Sequence, residues 1–314
     1  MRAAQRPLSP GWVAGSVRAR QMLARRIGEQ SRLLAAAPSL EDALAGLSGT
    51  AYGRALRPGM DLAGAQRAVG ETTLWHIRVL AGWAPPQALE AIRALAAWFE
   101  LVNIEDRVAF LAEGEPPLPF ALGALATAWT QIAEARTVAD VHAALVASPW
   151  GDPGAADAAG IGLGLRLAWA RRVLEAVDEA GEWAAGGAAL LVARQLFMTG
   201  RSPDDLLARR PPGLGSAWAQ AGSVGALRAA LPAQAAWALR DVAEPGDLWR
   251  AEVAWWRRVE QDATVLAHAP LMGEPMVVGS VVLLGVDAWR TAAALESAAR
   301  GGTPDSVEVF YEVA

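Results

Sequence analysis

Three histidines, His76, His142 and His268, are the side chains best suited to proton transfer or metal binding at neutral pH. They form no HExxH motif and no i, i+4 pair, so spacing puts no two of them on one helix face. His142 occupies a core-type position in a short helical stretch. Two acidic pairs, Glu105-Asp106 and Asp204-Asp205, carry groups suited to acid–base work or to magnesium. Neighbouring residues on a helix point to different sides, and Asp205 is followed by Leu-Leu-Ala rather than completing the DDxxD grouping of all-α isoprenoid chemistry. Ser48 and Ser280 lie outside any GxSxG, so the nucleophile elbow is absent. Gly160-Ile-Gly-Leu-Gly164 looks like part of a dinucleotide loop, but it lacks the preceding strand and the third glycine spacing. It reads instead as a place where helices approach closely. With no cysteine and no lysine in the chain, thiolate metal sites, disulfides, Schiff bases and the GxxxxGK[ST] phosphate loop are all excluded. The chemistry-bearing residues assemble no active site, and the chain is expected to be neither an enzyme nor a cofactor or metal binder.

What remains is scaffold. The chain has 314 residues, 53% of them apolar, which is ample for a sizeable core. Alanine and leucine dominate and almost nothing alternates with period two, which predicts an all-α fold. A net charge of −5 argues against nucleic acid as partner. Met1 to Pro10 lacks the apolar stretch of a targeting signal. The longest clean apolar run, Pro275 to Val286, is shorter than the ~20 residues of a spanning helix. A soluble protein is expected, one that can still sit on a membrane complex.

One module occurs three times. Ser39-Leu-Glu-Asp-Ala-Leu-Ala-Gly-Leu47, Thr137-Val-Ala-Asp-Val-His-Ala-Ala-Leu145 and Ser223-Val-Gly-Ala-Leu-Arg-Ala-Ala-Leu231 each begin with a hydroxyl suited to cap a helix. Asp42 and Asp140 complete the capping-box pattern in the first two, while Ala226 removes it from the third. Leu40, Ala43 and Leu47, with their counterparts, fall at i, i+3 and i+7 on one helical face. Tyr52 and Trp150 follow their caps at the same distance, with Trp237 one residue later. Such an aromatic is expected to plug a seam between modules. Long amphipathic segments follow at roughly 61–83 and 86–113, 155–180 and 183–199, and 247–268 and 275–300. They run out at Gly114-Glu-Pro116, Gly200-Arg-Ser-Pro203 and Gly301-Gly-Thr-Pro304. Each module is therefore a short capped helix and a hairpin of two long ones, with turns at Pro85-Pro86, Gly181 and Ala269-Pro270. The predicted boundaries are 1–38 for an N-terminal segment and helix, then 39–136, 137–222 and 223–314 for the modules of a single compact repeat domain. Most of the fourteen tryptophans sit at helical spacing among alanine and leucine and are expected to pack.

Ser16-Val-Arg-Ala-Arg20, Leu33-Leu34, Ser39 to Leu47 and Thr50-Ala-Tyr-Gly53 resemble the opening of the rotor-socket protein of bacterial and archaeal V/A-type ATPases, the family designated C there and d in eukaryotes. Trp98-Phe-Glu-Leu-Val-Asn-Ile-Glu-Asp-Arg107 is similar to a helix segment of that family, and Leu284 to Gly302 to its last long helix. The second module departs from the pattern in Ala189 to Arg194, and the third has Asp287-Ala-Trp-Arg290 where the family more often has Glu then Asn-Leu-Arg. The tail Ser306 to Ala314 is also unusual.

The resemblance implies a funnel of three helical-hairpin modules around a pseudo-threefold axis. It also implies a non-catalytic rotor socket between the central stalk subunits D and F and the membrane proteolipid (c) ring. That role would place the protein peripherally at the cytoplasmic face, in proton or sodium transport, one copy per complex. Charged or polar residues at corresponding hairpin sites would then line the cavity or its rim. These are Glu100, Asn103 and Arg107 in the first module, Arg194 in the second, and Asp287 and Arg290 in the third. An ordinary solvated helix face is the plain alternative for each. At the level of the whole chain, the alternative is a free-standing α-helical repeat scaffold that binds a regulatory protein.

Overall fold

The computed structural model describes residues 9–114 and 118–302. Among them the chain forms fourteen α-helices and no strand. In order these are α1 (Pro10–Leu23), α2 (Gln30–Ala35), α3 (Leu40–Ser48), α4 (Leu62–Trp83), α5 (Leu89–Glu113), α6 (Trp129–Ile132) and α7 (Val138–Val146). Then follow α8 (Ala158–Ala176), α9 (Gly181–Phe197), α10 (Pro203–Ala208), α11 (Val224–Ala230), α12 (Ala233–Ala236), α13 (Leu248–Ala267) and α14 (Glu274–Ala299). The six long segments and the three short recurring helices expected from the sequence are all present. Pro116, Thr303 and Pro304 of the stop signals, and the 306–314 tail, lie outside the described residues.

Local chemistry sets the ends. Ser39, Thr137 and Ser223 each accept a hydrogen bond from the backbone N–H three residues on, at 3.1, 3.1 and 3.2 Å. Thr137 has the full capping box, with the Asp140 carboxylate accepting from the Thr137 N–H. Asp140 is held below the usual carboxylate range by backbone and side-chain hydrogen bonds from Arg136 and Thr137. At α3, Asp42 accepts from the Ser39 hydroxyl instead, so the expected box is half formed. Asp61 and Asp157 cap α4 and α8 in the same way. Gly200 and Gly301 take left-handed φ values of +66° and +92° just past long helices, which glycine adopts at least cost.

Two compact units emerge. One combines 9–92 with 259–302, and the other comprises the described residues of 93–258. In the first, α14 packs against α1, α2, α3 and α4. Its core gathers Leu34, Leu47, Tyr52 and Val69 with Ala294, Leu295 and Ala298. By length and composition α14 is apolar enough to cross a membrane, and 61% of the qualifying stretch is buried inside the protein. The apolar run that looked too short in sequence is thus extended by alanines. The second unit holds two cores. One joins Leu101, Ile104 and Val108 of α5 to α6, α7, Trp150 and α8. The other joins α9 to α10, α11, Trp218 and the start of α13.

The cores are offset by one long helix from the hairpins read in sequence. Each takes the second arm of one module, then the short helix and first arm of the next. For the core that opens the chain, the preceding arm is α14.

Candidate functional site

The recurrent geometry lies where a short segment meets a long helix. On α5, Glu100 is fully buried. Its Oε1 accepts from the backbone N–H groups of Thr127, Ala128 and Trp129 at 2.8, 2.7 and 2.7 Å. Its Oε2 accepts from the Thr127 hydroxyl and, at 3.1 Å, from the Trp150 indole N–H. On α14, Asp287 repeats the pattern. It accepts from the N–H groups of Ile27 and Gly28 at 3.2 and 2.9 Å and from the Tyr52 hydroxyl at 2.8 Å. Burial, then the Asp287 charge, raises the Tyr52 phenol well above its ordinary pKa, so it stays a donor. Each acid therefore holds the start of a short segment and the aromatic that follows the capped helix. In the third repeat the acid is missing. Ala185 and Gly186 of α9 stand there, and a side chain at Gly186 would strike the Trp237 ring at 2.8 Å. The Trp237 indole donates to Gln234 O instead, at 3.0 Å.

These contacts account for the recurring aromatics and for two of the six residues expected to face a partner. Asn103 is also fully buried and exchanges two hydrogen bonds with the backbone of Phe120, at 3.0 and 2.7 Å. Arg107 donates to Ala135 O and stacks on Phe110. Arg194 pairs with Glu252 at 2.8 Å with both side chains nearly half exposed. Arg290 forms a two-pronged ion pair with Glu260. The structure thus brings the six to three separate kinds of place: buried latches (Glu100, Asp287), a buried loop tie (Asn103), and ion pairs or ties nearer the surface (Arg107, Arg194, Arg290).

Several of the residues with catalytic potential are likewise occupied. Glu105 pairs with Arg166, and burial raises its pKa against the opposing Arg166 charge. Asp205 lies between Arg201 and Arg209; slight burial opposes, but those bonds and charges hold it below the usual range. His142, expected in the core, is half-exposed and 3.3 Å from Asp152, because Val141 and Leu145 take the buried face. Within Gly160–Gly164, a Cβ at Gly162 would lie 2.8 Å from Glu105 Oε1 on α5, a close approach of two helices, whereas one at Gly164 would lie 2.2 Å from Pro153 O, a loop. Of the tryptophans, Trp150, Trp183 and Trp218 are buried, whereas Trp83, Trp98 and Trp249 are exposed. Among the described residues no group of three acids or histidines is placed to hold a metal.

Sequence reasoning missed a cleft of about 550 Å³ in the first unit, between the α1–α2 turn, the loop after α3, and α4. Arg25, Arg26 and Arg54 line it with Trp75 and His76. Its one sequence trace is the arginine richness of the first 60 residues, which carries no hint that Arg54 and His76 come together with them. Compared with known families and curated proteins, the chain matches no family model and no curated protein.

Proposed function

We propose that this chain is the non-catalytic socket of a rotary V/A-type ATPase rotor, seated between the central stalk and the proteolipid ring. In this reading its three repeats surround a pseudo-threefold axis as a funnel. The observation that carries the proposal is the cyclic order of the repeats. The core containing α3 is completed by α14, the last long helix, and the Asp287 latch at that junction copies the Glu100 latch between α5 and α6. A linear solenoid leaves its first repeat with only one neighbour and needs a capping face. Here the first repeat has a neighbour supplied from the far end of the chain, as a ring of modules requires.

The mechanical role follows from the same features. A torque coupler must be stiff, and long helices with buried, fully bonded carboxylates supply stiffness. A reversible socket needs surface charge for steering rather than for strength, and exposed pairs such as Arg194–Glu252 are of that kind. Glu105 and Asp205, one from each of the two acidic pairs that bear such chemistry, are engaged in internal ion pairs, which favours a structural role over an enzymatic one.

Co-expression with the stalk subunits D and F and with the proteolipid ring tests the reading. A complex should form at low salt and weaken as salt rises. Arg194→Glu should loosen it with helicity unchanged. Arg107 and Arg290 are poorer probes, since their internal bonds are more buried than the half-exposed Arg194–Glu252 pair that the reversal of Arg194 breaks. No association with stalk or ring at low salt would overturn the proposal in favour of the free-standing scaffold.

A further inference from the structure

The arginine cleft of the first unit has no part in the latches, and its chemistry points to a ligand. Arg25 and Arg54 are exposed at its rim and Arg26 is half-buried. None of the three forms an ion pair among the described residues. The Arg54 guanidinium lies 4.2 Å from the centre of the Trp75 ring, which fixes one wall. His76 is 5% exposed, and its Nδ1 is buried without a hydrogen-bond partner. Arg26 Nε is likewise buried and unpartnered. Asp287, which bonds to the Ile27 N–H beside the cleft, is committed to the N–H groups of Ile27 and Gly28 and to the Tyr52 hydroxyl, and Glu29 pairs with Arg32.

We infer that this cleft binds a phosphate-bearing anion, with Arg25, Arg26 and Arg54 on the phosphate oxygens and the His76 ring in its wall. A guanidinium offers paired N–H donors matched to phosphate oxygens. A phosphate monoester carries roughly two negative charges where a carboxylate carries one, so three converging arginines suit it better. Burial, then the charges of Arg25, Arg18 and Arg54, lower His76 to a pKa of about 4. Burial is the larger cause; the arginine charges add to it, and a bound phosphate would offset their part. A soluble phosphate compound and a phospholipid headgroup share this chemistry. The inference stands on the cleft alone and is independent of the rotor reading.

The test uses the full chain. Pyrophosphate is titrated while the His76 imidazole is followed by NMR in a buffer free of phosphate, and co-sedimentation is measured with phosphatidylglycerol and with phosphatidylcholine vesicles. Saturable shifts at His76 and a rise in its pKa are expected. Arg25→Gln combined with Arg54→Gln, both exposed sites, should weaken pyrophosphate about tenfold or more at unchanged helicity. Sedimentation with phosphatidylglycerol only, lost in the double variant, assigns the headgroup as source. Pyrophosphate binding without sedimentation assigns a soluble phosphate compound. Unsaturable shifts up to about 10 mM, undiminished affinity in the double variant, or tighter binding of a glutamate-rich peptide than of pyrophosphate would each overturn the assignment.

Discussion

At the scale of single residues, Glu100 concentrates the most bonding. Five donors converge on one buried carboxylate. Glu100→Ala leaves them all without acceptor and should cost about 3–5 kcal/mol in urea unfolding. Glu100→Gln keeps one acceptor oxygen but turns an NH₂ towards donors, and about 1–3 kcal/mol is expected. Tyr52→Phe removes a single bond to Asp287 and should cost nearer 1 kcal/mol. His76 sets a pH dependence. Its pKa in the folded chain is about 4 against 6.5 for the free side chain, so the unfolded chain takes up the proton first. The stability His76 permits is therefore complete above pH 6.5 and is lost as pH falls through 6.5 towards 4. The loss is on the order of 2 kcal/mol once solvent screening of the nearby arginines is allowed for. Unfolding of the wild type and of His76→Gln at pH 7 and pH 5 checks this; equal losses in the two proteins would refute it. None of these roles was readable beforehand. A charged residue on a long amphipathic helix is by default solvated, and nothing local to Glu100 or Asp287 announces that their donors are backbone groups elsewhere in the chain.

At the scale of elements, the reverse holds. Caps, stops and helical periodicity depend on residues a few positions apart, so the short helices, the long arms and most of their ends were legible from Ser39, Thr137, Ser223 and the glycine stops. Removing the caps should show their rank. Thr137→Ala, which also dissolves a capping box, should cost more than Ser223→Ala, within the range of about 0.5–2 kcal/mol for such caps. Glycines inside α14 give a sharper contrast. A Cβ at Gly279 would lie 2.5 Å from Ala263 O and 2.6 Å from Ala267 N, whereas one at Gly285 meets nothing within 4 Å. Gly279→Ala should destabilise by about 1–3 kcal/mol through overpacking, and Gly285→Ala should stabilise by about 0.5–1 kcal/mol through helix propensity. Thermal melts of the two variants should move in opposite directions. Sequence alone could not separate them, because the distinction lies in what α13 brings against α14.

At the scale of the whole molecule, the hairpins drawn from sequence proved offset from the cores, since periodicity identifies which helices have an apolar face but not which neighbour covers it. The Leu47 and Tyr52 core needs Leu295 and Ala298. A fragment of residues 1–92 should accordingly remain largely unfolded, and adding a 259–314 peptide in trans should restore helicity by circular dichroism. Full helicity of the first fragment alone would contradict the packing. For the intact protein, incubation with Mg·ATP should give no turnover, given the absence of a lysine-bearing phosphate loop.

The Tyr52–Asp287 bond spans 235 residues of chain, and this separation has a consequence for biosynthesis. A ribosome adding about 5–20 residues per second needs on the order of 10–50 s between the two partners. For most of that interval the apolar sides of α2, α3 and α4 are translated but uncovered, and the intervening 93–258 unit has every helix it needs before they are covered. The first-made part of the polypeptide is thus the last to finish folding. A message truncated between about codons 258 and 287 yields a product with one completed unit and one open apolar seam, a state that chaperones and proteases recognise.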